Sequence, residues 1–383
     1  MNGKPVYMDY NATTPCDPRV VEVMLPLFTQ EFGNAASRDH LYGWQAHEQV
    51  EDARQQVAKL IGANTQQIVF TSGATEAINL GLKGIVEAFP HQPKHIITCK
   101  TEHSAVLDTC DYLTSKGVEI SYLDVNDDGK IDLAVLESEI RTHTICIALM
   151  YANNETGVIH PVQAISSIAH KHGILFFCDA TQAVGKIPVD VLKDGIDIMA
   201  FSAHKLYGPK GIGALFIGNG VKEKNLPFIP QQHGGHHEGG MRSGTLNTPG
   251  IVGFGKAAAL CAMLMETESQ QLRLLRDQLE NELKANIPGL QINGAEPRLP
   301  HVSNITLPHG HAEQILLSLS QQLAASRSSA CKGLLQAPSH VLTAMGITGE
   351  QAARVIRLSL GRFTTQADIL QVVALLTNAV ICK

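Results

Sequence analysis

The chain has 383 residues, 44% of them hydrophobic and 17% charged, with a formal net charge of −6 at pH 7. This much apolar material in a long chain buries a large core, which excludes a disordered polymer and removes any need for disulfide or metal staples. Lys and Arg are scattered, which argues against direct nucleic-acid binding. No apolar run approaches the ~18 residues of a membrane helix, since the longest are broken by Lys256 or Asn378. The N-terminal Met1–Val6 segment has no signal-like apolar stretch. Eight cysteines (Cys16, Cys99, Cys110, Cys146, Cys178, Cys261, Cys331 and Cys382) form no C-x-x-C pair. The expectation is a cytoplasmic chain with reduced thiols, most of them inert.

In chain order, the first helix presents Val50, Ala53, Val57, Leu60 and Ile61 on one face and stops at Gly62. Strands are then predicted at Ile68–Thr71, His95–Thr98, Glu119–Leu123, Thr144–Met150, Ile174–Cys178, Ile198–Phe201 and Gly213–Ile217. Most are apolar throughout, the pattern of strands buried on both faces. Helices are predicted between them at Ala74–Glu87, Ser104–Ser115, Asp132–Arg141 and Val162–His172. This alternation implies an α/β fold with a mostly parallel seven-stranded sheet covered on both faces. After Pro249 a long helix is expected over Ile251–Asn286, with Leu272, Leu275, Leu279 and Leu283 on one stripe. A strand (Ser303–Leu307), a helix (Ala312–Leu323), a loop, a strand (Val355–Leu360) and a last helix (Ala367–Ile381) follow. These read as a smaller α+β domain. The expected division is 16–258 for the large domain and 1–15 with 259–383 for the small one.

The chemistry concentrates at strand ends. Asp179 follows one predicted strand, and Ser202, His204 and Lys205 follow the next. The carboxyl ends of parallel strands open onto the crevice where such sheets bind ligands. A Lys able to form a Schiff base, beside an Asp able to keep a pyridine nitrogen protonated, is the pair that pyridoxal phosphate (PLP) demands. Asp179 read alone is better taken as a helix N-cap. The Thr71-Ser72-Gly73-Ala74-Thr75-Glu76 segment is a strand–turn–helix junction whose free N–H groups suit a phosphate. His103 follows another strand, placed either to stack on a cofactor ring and move protons or simply to cap a helix. Asn154, in Asn153-Asn154-Glu155, reads as a donor to a ring oxygen or as a turn residue.

These motifs together resemble the cysteine desulfurases of the IscS/NifS type, PLP enzymes of the aspartate-aminotransferase fold (class V, fold type I). The resemblance extends from Val6–Pro15 to Ile356–Thr365. It includes Gly33–Ser37, Thr71–Ala77, Lys100–His103, Asn153–Gly157, Asp179–Lys186, Ser202–Leu215, Gly239–Asn247 and Ser328–Lys332. It implies Lys205 as the Schiff-base lysine and Asp179 on the ring nitrogen. Gln182 and Asn154 would lie near the ring oxygen. Ala74, Thr75, Ser202 and His204 would hold the phosphate, joined by Thr245 from the second subunit of a homodimer. His103 would stack on the ring as acid or base. Arg357, with Asn34 and Asn154, would bind the substrate carboxylate. Cys331 would take sulfur from L-cysteine as a persulfide, leaving alanine, and pass it to an acceptor protein. No metal is expected.

The sequence departs from that pattern in places. Arg327 is added and a Gly is missing before Cys331, while Ala203 and Thr156 replace the usual Gly and Ile. The chain stops soon after its last helix, where relatives that feed an iron–sulfur scaffold often carry a longer tail. Rival readings are a selenocysteine lyase of the same fold, a non-enzymatic sulfur carrier, a metal site in His233-Gly-Gly-His236-His237-Glu238, and a dinucleotide motif at Gly253-x-Gly255. The last lies inside a helical pattern, where its required strand–turn context fails.

Overall fold

The computed structural model describes residues 4–223, 228–327 and 339–381. Cys331 and the whole Ser328–Lys332 block lie outside the described residues, as does Cys382. The described strands, in chain order, are β1 (Val6–Tyr7), β2 (Ile68–Thr71), β3 (His95–Cys99), β4 (Glu119–Leu123), β5 (Thr144–Ala148), β6 (Leu175–Asp179), β7 (Ile198–Ser202), β8 (Gly213–Ile217), β9 (Gln291–Ile292), β10 (Val302–Thr306), β11 (Leu323–Ala324) and β12 (Val355–Ser359).

The apolar runs become a seven-stranded sheet of order β2-β8-β7-β6-β5-β3-β4. The pairs β7–β6, β6–β5, β5–β3 and β3–β4 are parallel, while β8 runs antiparallel to both β2 and β7. Every residue of β2, β3 and β5–β8 is buried, whereas the edge strand β4 is partly exposed. Successive side chains feed opposite cores. Phe177 packs with Ile78, Leu80, Ile85 and Leu215 on the face covered by the Ala74–Glu87 helix. Phe176 joins Val50, Val57, Phe201 and Phe254 on the other face, covered by the Leu41–Leu60 helix.

The longest helix, Thr248–Asn286, passes from one core to another. Ile251, Phe254 and Ala258 pack under the large sheet. Leu272, Leu279 and Leu283 pack with Ile305, Ile356, Leu358 and Val372. That second core lies around the antiparallel sheet β12-β10-β9 and the Gln366–Ile381 helix. An 18-residue stretch of Thr248–Asn286 is apolar enough to cross a bilayer, but 56% of it is buried inside the fold, as in a core helix. Gly253 and Gly255 lie within this helix, and close packing explains them. A Cβ on Gly255 would come within 2.5 Å of Ala53 Cα, and one on Gly253 within 2.5 Å of Met24 Sδ.

Two predicted helices are shorter than the periodicity suggests. The Ala312 helix ends at Ser318, whose Oγ donates back to the Ile315 carbonyl (2.8 Å). The chain then turns so that Leu323–Ala324 pairs in parallel with Val6–Tyr7 as β11. The Leu133–Ser138 helix, N-capped by Asp132, likewise ends before Arg141. Strand β5 stops at Ala148, and β6 runs one residue later than its apolar run, so Asp179 is its last residue.

Candidate active site

Because β8 is antiparallel to both neighbours, β2 points the same way as β7, and the C-terminal ends of β2, β3, β5, β6 and β7 share one sheet edge. The Gly73 turn, His103, Asn154, Asp179 and Ser202–Lys205 all follow or end these strands.

Gly213 is the register point of the phosphate cradle. It pairs with Thr71 on one side and Ser202 on the other. A Cβ there would lie 2.7 Å from the Gly73 main chain, so only glycine lets the turn fold this close. A Cβ on Gly73, by contrast, would meet only Ser202 Oγ, at 4.0 Å. Open space therefore lies at the start of the Ala74–Glu87 helix, beside a hydroxyl. Gly73 is the N-cap and offers no side-chain cap, so the first-turn N–H groups of Ala74 and Thr75 suit an anion.

Lys205 lies in a single 3-10 turn after β7. Its ammonium donates to the main-chain carbonyls of Asn11 (2.5 Å) and Ala12 (2.8 Å). Gln182 Nε2 donates to the same Asn11 carbonyl (3.1 Å). The Asn11 side chain bonds His301 Nε2 (2.9 Å) and donates to the Asn154 carbonyl (2.9 Å). His204 Nδ1 lies 3.1 Å from Thr13 Oγ1. Burial, with Lys205 and Lys210 nearby, pushes the His204 imidazole down to about 4, so it is neutral at pH 7.

Arg357, on β12, is almost wholly buried. Its guanidinium donates to Asp9 Oδ1 (2.7 Å) and to the Asn154 carbonyl (3.1 Å), and its Nε has no hydrogen-bond partner. Ser326 Oγ donates to Asp9 Oδ2 (2.9 Å) and Ser326 bridges to Arg357, which leads the chain from this arginine to the block that holds Cys331. Asp9 and Asn11 are residues that residue-by-residue reading of the sequence passed over. The signal was present in the Val6–Pro15 block, but nothing local to it names a partner.

Asp179 is the last residue of β6 and accepts the Thr181 N–H (3.0 Å) in a local turn; no helix begins here, so it is not the helix N-cap that the alternative reading expected. Thr181 Oγ1 is buried without a partner. His103 N-caps the Ser104–Thr114 helix through Nδ1 and the Ala105 N–H (3.1 Å). Asn34 Oδ1 accepts the Ala36 N–H (3.0 Å), and Thr245 is exposed. Beside His103, buried Glu102 accepts the Met150 N–H (2.7 Å) through one oxygen while the other has no partner. Burial, with the Asp179 charge, drives its carboxyl well above the usual range, which favours the protonated form.

In the His/Gly-rich run, Glu238 is committed to an ion pair with Arg54 (2.7 Å). Among the described residues no cluster of three His, Cys, Asp or Glu is placed to hold a metal. Five described cysteines are buried. Burial raises the thiols of Cys99 and Cys261 to about 11 and Cys110 to about 12, and it also pushes those of Cys146 and Cys178 well up. Half-buried Cys16 is also raised, by burial and by Asp17. None of these six is an activated thiolate.

The donor set fits PLP. It combines an amine held by two carbonyls, a strand-end carboxylate, an open helix N-terminus with a hydroxyl, and the orphaned donors Arg357 Nε and Thr181 Oγ1.

Comparison with known proteins agrees. The aminotransferase class-V family model matches residues 6–372. The chain is 46% identical over 377 residues to a cysteine desulfurase IscS of Anaeromyxobacter sp. (strain Fw109-5), spanning 98% of this chain and 92% of that one. The solved structure of a NifS-like protein superposes with a TM-score of 0.90 at 35% identity, covering 98% of each chain. A structure described as SspA in complex with cysteine superposes with a TM-score of 0.82 at 35% identity, covering 94% of this chain and 99% of that one. The architecture is that of fold type I, whose members use PLP. With the match running through almost the whole chain, and the strand-end lysine, aspartate and glycine turn on one sheet edge, this chain belongs to the aminotransferase class-V family.

Proposed function

We propose that this chain is a cysteine desulfurase, converting L-cysteine to L-alanine and holding the released sulfur on Cys331 as a persulfide. What carries this reading is the meeting of Lys205, Asp179 and the Gly73 turn on one sheet edge, in a chain similar over nearly its full length to IscS proteins. PLP, when bound, supplies an electron sink that eases loss of the substrate's Cα proton. Lys205 is the amine that would hold it covalently and, once displaced by substrate, carry that proton. Asp179 would keep the ring nitrogen protonated, Gln182 and Asn154 would orient the ring oxygen, and His103 would stack on the ring. Ala74, Thr75, Ser202 and His204 would hold the phosphate. Arg357, with Asn34 and Asn154, would clamp the substrate carboxylate.

Cys331, as thiolate, attacks the substrate sulfur. A sulfur–sulfur bond forms, the substrate's C–S bond breaks, and its electron pair takes up a proton at carbon to leave alanine. The persulfide then passes to an acceptor protein serving iron–sulfur assembly, tRNA thiolation or DNA phosphorothioation. A homodimer, in which Thr245 reaches the second subunit's phosphate, is supported by the exposed apolar residues Leu25, Phe28, Phe32, Leu41, Tyr42 and Trp44. A reducing, cytoplasmic setting follows from the need for a free Cys331 thiol. The division into 16–258 and 1–15 with 259–383 is supported by the passage of the Thr248–Asn286 helix between two cores. The test is incubation of purified protein and PLP with L-cysteine. Alanine and protein-bound sulfur form in equal amounts in the first turnover, and absence of alanine would refute the activity.

A further inference from the structure

Among the described residues strand β2 is an edge of the large sheet, so one side of its backbone has no strand partner there. Two carboxylates take N–H groups from β2 and the turn that follows it. Glu238 accepts from Phe70 N (2.7 Å), and Glu76 accepts from Ser72 N (2.6 Å). Each carboxylate is matched by an arginine. Glu238 receives both terminal nitrogens of Arg54 (2.7 and 2.8 Å), whose guanidinium stacks 4.7 Å over the Phe70 ring and also donates to the Ile68 carbonyl (2.9 Å). Glu76 receives Nε of Arg242 (2.8 Å) and, more weakly, its NH2 (3.3 Å). The segment that carries Glu238 and Arg242 is thus fastened at two points to the strand and turn that form the cradle. Glu238 holds a left-handed backbone (φ 51°) within it.

The second fastening has an electrostatic consequence. Glu76 is in the first turn of the Ala74–Glu87 helix. There its negative charge competes with any anion that the same helix end attracts. Burial alone would raise its carboxyl, yet the Arg242 and Ser72 hydrogen bonds hold it below the ordinary value, so the charge is present at pH 7. We infer that Arg242 is a positioning residue for the phosphate cradle: by pairing with Glu76 it masks the carboxylate beside the Gly73 turn and lets that turn take a dianionic phosphate. Arg242 acts through Glu76 and need not touch the cofactor. This inference rests on the PLP reading above.

The experiment titrates the full-length chain, freed of cofactor, with PLP and with pyridoxal, its phosphate-free analogue, following the visible absorbance of the bound group. In R242Q, PLP binding weakens roughly five- to tenfold while pyridoxal binding is unchanged. E76Q in the R242Q background restores PLP affinity, because no unmasked charge remains, and R242K retains most of it. Equal losses for both ligands, no loss, or failure of E76Q to rescue would each overturn the role of Arg242. A wild-type chain that binds neither ligand would instead overturn the PLP reading itself. Should R242Q not fold, the E76Q single variant decides. It binds PLP at least as well as wild type if Glu76 needs masking, and a loss specific to PLP counts against the inference.

Discussion

The main-chain carbonyl of Asn11 accepts the ammonium of Lys205 at 2.5 Å, across 194 positions of sequence. The same residue uses its side chain to tie His301 to the Asn154 carbonyl, so one N-terminal segment joins the lysine, the Asn154 segment and the strand region of His301. Asn11→Ala keeps the carbonyl but leaves buried polar groups unpaired. It is expected to lower stability by about 1–3 kcal/mol, measured by urea unfolding. Unchanged stability would show that the side-chain bonds contribute nothing net.

Cys331→Ala is expected to retain the visible absorbance of bound PLP and to form no protein persulfide from L-cysteine, read by thiol-trapping mass spectrometry. Sulfur release equal to wild type would remove Cys331 from the mechanism. Full turnover with selenocysteine alone would favour a selenocysteine lyase.

Arg357 presents two nitrogens in a fixed fork, which Lys cannot reproduce. With Arg357 as the proposed carboxylate clamp, Arg357→Lys is expected to raise KM for L-cysteine roughly ten- to a hundredfold, with a smaller effect on kcat, because a bidentate charge-assisted contact would be lost. An unchanged KM would place the carboxylate elsewhere.

Glu102 gives a pH prediction with a definite sign. Its folded-state carboxyl is raised above the ordinary value of 4.5 by burial and by Asp179. Above about pH 4.5 the unfolded chain releases this proton while the folded chain keeps it, so this group makes stability fall as pH rises. Glu102→Gln removes the penalty. The variant is expected to gain stability relative to wild type as pH rises above about 4.5, seen as a rising difference in thermal midpoint. A difference independent of pH would mean that Glu102 is ionised in the fold.

Gly255→Val tests the contact between the Leu41–Leu60 and Thr248–Asn286 helices. A Cβ there falls 2.5 Å from Ala53 Cα, so the helices must separate. A loss of about 1–3 kcal/mol or more is expected from overpacking. A neutral result would show that the two helices can move apart freely.

Much of the fold was legible because its signals are local. Strands β2, β4 and β8 have the bounds that their apolar runs predict. Ala74–Glu87 has its predicted bounds as well, since a Gly N-cap and an amphipathic face are both written in consecutive residues. Lys205 and Asp179 were visible for a related reason: each ends or directly follows a buried strand, and neighbouring parallel strands end at one edge. The end of the Ala312 helix was not legible. Leu316, Leu317, Leu319 and Leu323 keep helical periodicity, and only pairing with Val6–Tyr7, more than 300 residues away, makes residues 323 and 324 extended.

The chain's own sequence therefore determined the strand–helix alternation, the strand-end lysine and aspartate, and the glycine turn, because each depends on spacing within a few residues. The tertiary structure alone decided that Asn11 anchors Lys205, that Asp9 holds Arg357 across 348 positions, and that Glu238 pairs with Arg54. These are partnerships between buried polar groups distant in sequence. Each is imposed by the need to satisfy hydrogen bonds once the core has excluded water, and no local pattern encodes them.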